Sequence, residues 1–175
     1  RSINTIAVRV GERAGVSGIY RFVKNDLGVT SLTPEDRDAG PMVLGSQTRG
    51  ISPYELAGAY MMLGNGGEFT TLHCYTSVRT GEGREILAPR LETRRVISAD
   101  TAYIMNRLLA GVMQGGGTAS GYRVSGEMDS VGKTGTSSDN RDYWFVGMTP
   151  YTVTACWYGY DSGFALNTPG GTHAP

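Results

Sequence analysis

Three runs in the last third of the chain, Val131–Thr136, Tyr143–Met148 and Tyr151–Tyr160, constrain the fold most. Val, Thr and aromatic residues mark each as a strand, and only short turn-forming stretches separate them. Connections that short join neighbours in an antiparallel sheet, because a parallel pair needs a crossover of about a dozen residues or more. These runs are therefore expected to form a three-stranded antiparallel meander.

Upstream, the periodicity is mostly helical. Ile6, Ala7, Val10 and Ala14 mark one helix face, and Ile19, Phe22, Val23 and Leu27 mark a second helix closed by Gly28. Thr30–Gly50 reads as loop. Ser52-Pro53-Tyr54-Glu55 is a helix start: Ser52 caps, Pro53 takes the first helical position and Glu55 completes a capping box. The small residues that follow suit a tightly packed central helix, which stops at Gly64-Asn65-Gly66-Gly67. Glu68–Thr80 and Arg84–Leu87 read as one hairpin across Gly81-Glu82-Gly83. Ser98 caps a last helix carrying Ile104, Met105, Leu108, Leu109, Val112 and Met113. Gly115-Gly116-Gly117 reads as a flexible break, and the tail from Ser162 as irregular. Helices first and an antiparallel sheet last argue an α+β fold.

The run Lys133-Thr134-Gly135-Thr136 carries the chemistry. On a strand, Thr134 and Thr136 share a face, and Gly135 between them lets a ligand backbone approach closely. With the Lys133 cation they make a docking strip for an extended substrate ending in a carboxylate. The bland reading of the same residues is a strand that ends in a Gly-Thr-Ser turn. A phosphate-binding loop is excluded, since it needs a glycine five residues before Gly132, where Glu127 stands.

Composition excludes other chemistries. A chain of 175 residues is enough for one domain with a substantial core. Its formal net charge of zero gives no reason to expect a nucleic-acid partner or an anionic membrane surface. His73 and His173 are far apart and outside any ligand cluster, so no metal or cofactor is expected. Cys74 and Cys156 have no CxxC spacing and are expected to pack as small apolar residues in strands, not to pair. No stretch approaches the about 20 apolar residues of a membrane span. The chain opens on Arg1-Ser2 at the start of a helix, so it is expected to be a piece of something longer.

Lys133 to Gly147, read as Lys-Thr-Gly-Thr-Ser-Ser-Asp-Asn-Arg-Asp-Tyr-Trp-Phe-Val-Gly, closely resembles the transpeptidase domain of class A, bifunctional, penicillin-binding proteins. Three further stretches agree in order. Ser2-Ile3-Asn4 resembles the family's Ser-x-Asn motif, Gly50–Gly67 its central helix, and Gly116-Gly117-Thr118-Ala119 the loop before the motif strand. The resemblance implies the penicillin-binding/β-lactamase-like fold, an antiparallel sheet flanked by helices, present here as its C-terminal portion over residues 1–175. It implies a peptidoglycan D,D-transpeptidase that acts by serine acyl transfer. Its partners would be stem peptides ending in D-Ala-D-Ala, β-lactam antibiotics and the N-terminal remainder of the same protein. The parent would stand at the extracytoplasmic face of the bacterial membrane, held by an upstream segment. Carried over by position, Ser2 would relay protons, Asn4 would hydrogen-bond the substrate, and Lys133 would hold Ser2. Thr134, Gly135 and Thr136 would line the carboxylate site, and the Thr136 N–H would supply an oxyanion donor. Simple strand alternation turns Lys133 away from the Thr134 face, so its reach into the cleft rests on the resemblance.

The family's nucleophile lies in Ser-x-x-Lys on a helix, where one turn puts both side chains on one face. Ser130-Val131-Gly132-Lys133 spells this but is rejected, because on a strand residues three apart point to opposite faces. Ser138-Asp139-Asn140 spells a proton-relay motif of some β-lactamases, yet its place just past the strand predicts a turn. The nucleophile is expected upstream of Arg1, and the chain alone is expected to be inactive. A plain N-cap is the bland reading of Ser2. A D,D-carboxypeptidase or serine β-lactamase of the same fold, or a non-catalytic β-lactam-binding domain, is the alternative.

Overall fold

The structure is a computed structural model that describes residues 2–124 and 128–166. Two helices open it, α1 (Asn4–Ala14) and α2 (Val16–Arg21), the latter continuing into a π-helical turn over Phe22–Asp26. Gly28 ends this segment at φ 67°, a left-handed conformation that glycine adopts without strain. α1 approaches its neighbour through Gly11, whose missing side chain makes room for Val43. The face marked by Ile6 and Val10 forms as expected but is exposed.

The segment read as loop, Thr30–Gly50, contains a short 3-10 helix (Pro34–Arg37) and a π turn (Gly40–Leu44) organised around one carboxylate. Asp36 is completely buried. It accepts from the Thr33 N–H (2.8 Å) and hydroxyl (3.1 Å), and from the Thr48 N–H (2.7 Å) and hydroxyl (2.8 Å). Burial pushes its pKa up, but these four donors outweigh burial and hold it at about 2.

α3 (Pro53–Gly64) starts at the expected capping box. Ser52 Oγ accepts from the Glu55 N–H at 3.2 Å, and Glu55 Oε2 takes the Ser52 hydroxyl at 2.9 Å. Glu55 Oε1 also accepts from the Thr30 N–H (2.7 Å) and hydroxyl (2.8 Å), so one side chain both caps the helix and anchors the preceding loop. α3 lies between two cores. Tyr20, Leu27, Val29, Leu32 and Phe69 form one, Leu63, Leu109 and Met148 the other, and Met62 packs against both. Burial of each such side chain contributes about 1.5–3 kcal/mol.

The expected single hairpin is two nested ones. β1 (Glu68–Thr70) pairs antiparallel with β4 (Thr93–Arg95), and β2 (Val78–Arg79) with β3 (Glu85–Leu87). Arg95 explains the outer pairing: it holds Glu68 at 2.8 Å and the Gly66 carbonyl at 2.8 Å. No local pattern specifies such a contact across 27 residues.

α4 (Ala99–Met113) is capped by Ser98, which accepts from the Thr101 N–H at 3.1 Å. It buries Ala102, Leu109 and Met113, while Ile104 and Leu108 of the expected apolar face are 57% and 66% exposed. The triglycine break after it takes the form of a tight turn. Ala119 N–H donates back to the Val112 carbonyl (3.0 Å), and Gly117 sits so close to the Gly111 and Val112 carbonyls that a Cβ would collide with them.

β5 (Val131–Thr136), β6 (Asp142–Met148) and β7 (Val153–Gly159) form the expected antiparallel meander in that order. Residues directly opposite share a face. Val131, Val146, Met148 and Val153 therefore face α3 and α4, and alternation leaves Thr154, Cys156 and Tyr158 exposed. Cys156 and Cys74 are both free and exposed, not packed as small core residues as expected, and Cys74 lies outside any strand. The tail from Ser162 is irregular as far as Leu166; residues 167–175, including His173, lie outside the described residues.

Candidate active site

β5 is an edge strand, and its hydrogen-bond phase sets what that edge presents. Beyond the strand's end, Ser137 N–H donates to the Asp142 carbonyl at 3.0 Å. Stepping back by twos, Gly135, Lys133 and Val131 turn their backbone groups towards β6. Gly132, Thr134 and Thr136 turn theirs to the free edge. The Lys133 ammonium accordingly finds the Thr134 carbonyl there.

Alternation points the Lys133 Cβ away from the Thr134 face, but the flexible four-carbon stem curls round the strand edge. Its Nζ donates to Thr134 O and to Ser2 Oγ, the latter at 3.1 Å. The half-buried ammonium is desolvated, and this lowers its pKa below the usual lysine value.

Ser2 does not cap α1. The N-cap position is Ile3, with no side-chain cap bond, and the Ser2 hydroxyl instead meets Lys133. Asn4, the first residue of α1, is exposed two positions further on. Thr134 is half-buried and Thr136 exposed, each one residue from Gly135. Gly135 has a packing reason of its own: a Cβ there would lie 3.1 Å from the Trp144 Cβ on β6. Trp144 in turn packs beside Trp157, whose indole N–H donates to Asp142 at 2.9 Å.

Both decoys resolve as expected. Ser130 Oγ is buried, and Lys133 bonds Ser2 instead. Ser138-Asp139-Asn140 forms the β5–β6 turn, with Asp139 (φ 60°) and Asn140 (φ 53°) in the left-handed region that Asn and Asp tolerate. One contact carried no sequence signal: the Thr134 hydroxyl donates to the Thr118 hydroxyl at 2.9 Å, across 16 residues. Among the described residues no group of three or more His, Cys, Asp or Glu is placed to hold a metal ion.

Residues 1–158 match the family described as the penicillin binding protein transpeptidase domain. The chain belongs to this family. Penicillin-binding protein 1A of Clostridium acetobutylicum is 36% identical over 161 residues, which are 92% of this chain and 20% of that protein. The chain thus spans about a fifth of that relative's length. Among solved structures, penicillin-binding protein 1A of Haemophilus influenzae superposes with a TM-score of 0.75 at 18% identity, over 98% of this chain and 30% of that one. Penicillin-binding protein A of M. tuberculosis, solved as an imipenem acyl-enzyme complex, superposes at 0.70 and 17% identity, over 97% and 42%. These likenesses bear out the expected transpeptidase fold with its helices and antiparallel sheet.

Proposed function

We propose that this chain is the substrate-holding and proton-handling portion of a peptidoglycan D,D-transpeptidase whose nucleophilic serine lies in an upstream Ser-x-x-Lys helix. One observation carries the reading: the Ser2 hydroxyl is held 3.1 Å from the Lys133 ammonium, beside the free edge of Thr134 and Thr136. In the forward half-reaction the upstream serine attacks the carbonyl of the D-Ala–D-Ala bond. Its proton passes by way of Ser2 to the leaving nitrogen, and D-alanine departs. In the second half-reaction an amine of another stem peptide attacks the acyl-enzyme, and the proton returns by the same hydroxyl. Lys133 keeps Ser2 aimed and adds positive potential. Thr134 and Thr136 hold the terminal carboxylate, Asn4 hydrogen-bonds an amide side chain or the backbone of the substrate, and the Thr136 N–H on the free edge stabilises the oxyanion. β-Lactams would acylate the same upstream serine; the M. tuberculosis protein forms an acyl-enzyme complex with imipenem. The parent would work at the extracytoplasmic face of the membrane.

Incubation with a fluorescent penicillin, followed by denaturing gel and intact mass, tests this. Label is expected on the complete protein and absent from residues 1–175 alone. A covalent adduct on the isolated chain would overturn the assignment of the nucleophile.

A further inference from the structure

Thr118 stands in the tight turn after α4, 2.9 Å from the Thr134 hydroxyl. The turn leaves it little freedom. Gly116 is left-handed (φ 81°), Gly117 N–H donates to the Gln114 carbonyl (2.8 Å), and Ala119 N–H to the Val112 carbonyl (3.0 Å). Gly117 lies against the Gly111 and Val112 carbonyls, where any side chain would collide. Ala119 is buried. The position of Thr118 is therefore set by the C-terminal end of α4, which itself packs on β5.

Thr134 has a single hydroxyl proton, and it is donated to Thr118. A carboxylate only accepts. To hold one, Thr134 must turn that proton to the ligand, and its oxygen is then free to accept. The Thr118 hydroxyl, 2.9 Å away, supplies the donor once a rotation about its Cα–Cβ bond lets the bond reverse. The result is a chain O–H···O–H···O⁻ in which the first bond polarises the second. We infer that Thr118 is a positioning residue that aims the Thr134 hydroxyl at the carboxylate of the ligand. This rests on the reading of Thr134 as a carboxylate contact.

The experiment compares a penicillin carrying its free carboxylate with the methyl ester of the same penicillin, as acylating agents of the complete protein. Acylation is resolved into a binding constant and a limiting rate. Thr118→Val is expected to weaken carboxylate binding about three- to tenfold, the value of one neutral hydrogen bond. The ester should be nearly unchanged, and Thr118→Ser should restore wild-type behaviour. Thr118→Ala provides the same test should the valine variant fail to fold. Thr134→Val is the control for the underlying reading and should collapse the preference for carboxylate over ester. If Thr134→Val leaves that preference intact, the carboxylate site itself is misassigned. If Thr134→Val collapses it while Thr118→Val and Thr118→Ala do not, the role of Thr118 is overturned alone. Equal slowing of both penicillins by the Thr118 variants would make the residue merely structural and would equally overturn the inference.

Discussion

The Lys133 ammonium and the Ser2 hydroxyl lie 3.1 Å apart although 131 residues separate them in the chain. The contact joins a residue two positions ahead of the first helix to the edge strand of the sheet. Ser2 is exposed and Lys133 half-buried, so the cation sits at the boundary between the packed sheet and solvent.

If that pair handles the proton, the two residues act as a unit. Ser2→Ala and Lys133→Ala should each slow β-lactam acylation of the complete protein about 100-fold or more, the usual worth of a positioned proton carrier. The double variant should be scarcely slower than the poorer single one, because groups acting together are not additive. Multiplying losses would separate their roles. Ser130→Ala should leave acylation unchanged.

The half-burial of Lys133 also sets a pH dependence. Its pKa in the folded protein lies below the ordinary 10.5, with desolvation the cause. The cation is therefore lost earlier in alkali than a free lysine would be, and acylation should fall along a limb below pH 10.5. Lys133→Arg stays charged, so in that variant the limb should move upward. Because the unfolded chain binds this proton more tightly, stability should rise with pH between the lowered value and 10.5. The acylation rate across pH, corrected for spontaneous β-lactam hydrolysis, gives the answer.

Asp36 should be a structural linchpin of the segment after α2. Asp36→Asn exchanges a pure acceptor for a group with two donors among four existing donors, and should cost about 2–4 kcal/mol. The sign of the acid dependence follows from the depressed pKa of about 2 against 3.8 for the free group. The contribution of Asp36 is whole above about pH 3.8 and disappears as pH falls through about 2. Denaturant midpoints of wild type and variant should converge at the acid end; a constant gap would refute the linkage.

Glu55 closes the α3 capping box and anchors Thr30. Glu55→Ala should destabilise by about 1–2 kcal/mol, in the range of a lost cap. Glu55→Gln retains an acceptor and should lose less. Thermal unfolding of the two variants against wild type separates these outcomes.

The elements that the sequence made legible are those whose signal is local. The meander of β5 to β7 follows from alternating strand residues joined by short turns. The start of α3 follows from Ser52, Pro53 and Glu55, and the Asp139–Asn140 turn from residues that tolerate positive φ. Where the structure differs from expectation, a contact outside the local pattern decided. Thr70 pairs with Thr93 and not within a long hairpin, while Gly117 is pressed on the end of α4 in a tight turn. The faces of α1 and α4 show the same limit. Periodicity marks Ile6, Val10, Ile104 and Leu108 as one-sided but does not say whether anything covers that side, and among the described residues these four are exposed.

The candidate site divides along the same line. By itself the sequence determined the strand, the spacing of Thr134 and Thr136 along it and, through resemblance, the residues to watch at Ser2, Asn4 and Lys133. Only the tertiary structure decided that the Lys133 stem curls round a free edge to reach Ser2. It alone decided that a side chain at Gly135 would crowd Trp144 opposite, and that Thr134 donates to Thr118. The reason is physical. Backbone periodicity is encoded within a few residues, whereas the partner of a hydroxyl or an ammonium is whatever polar atom the packing of distant elements leaves within about 3 Å.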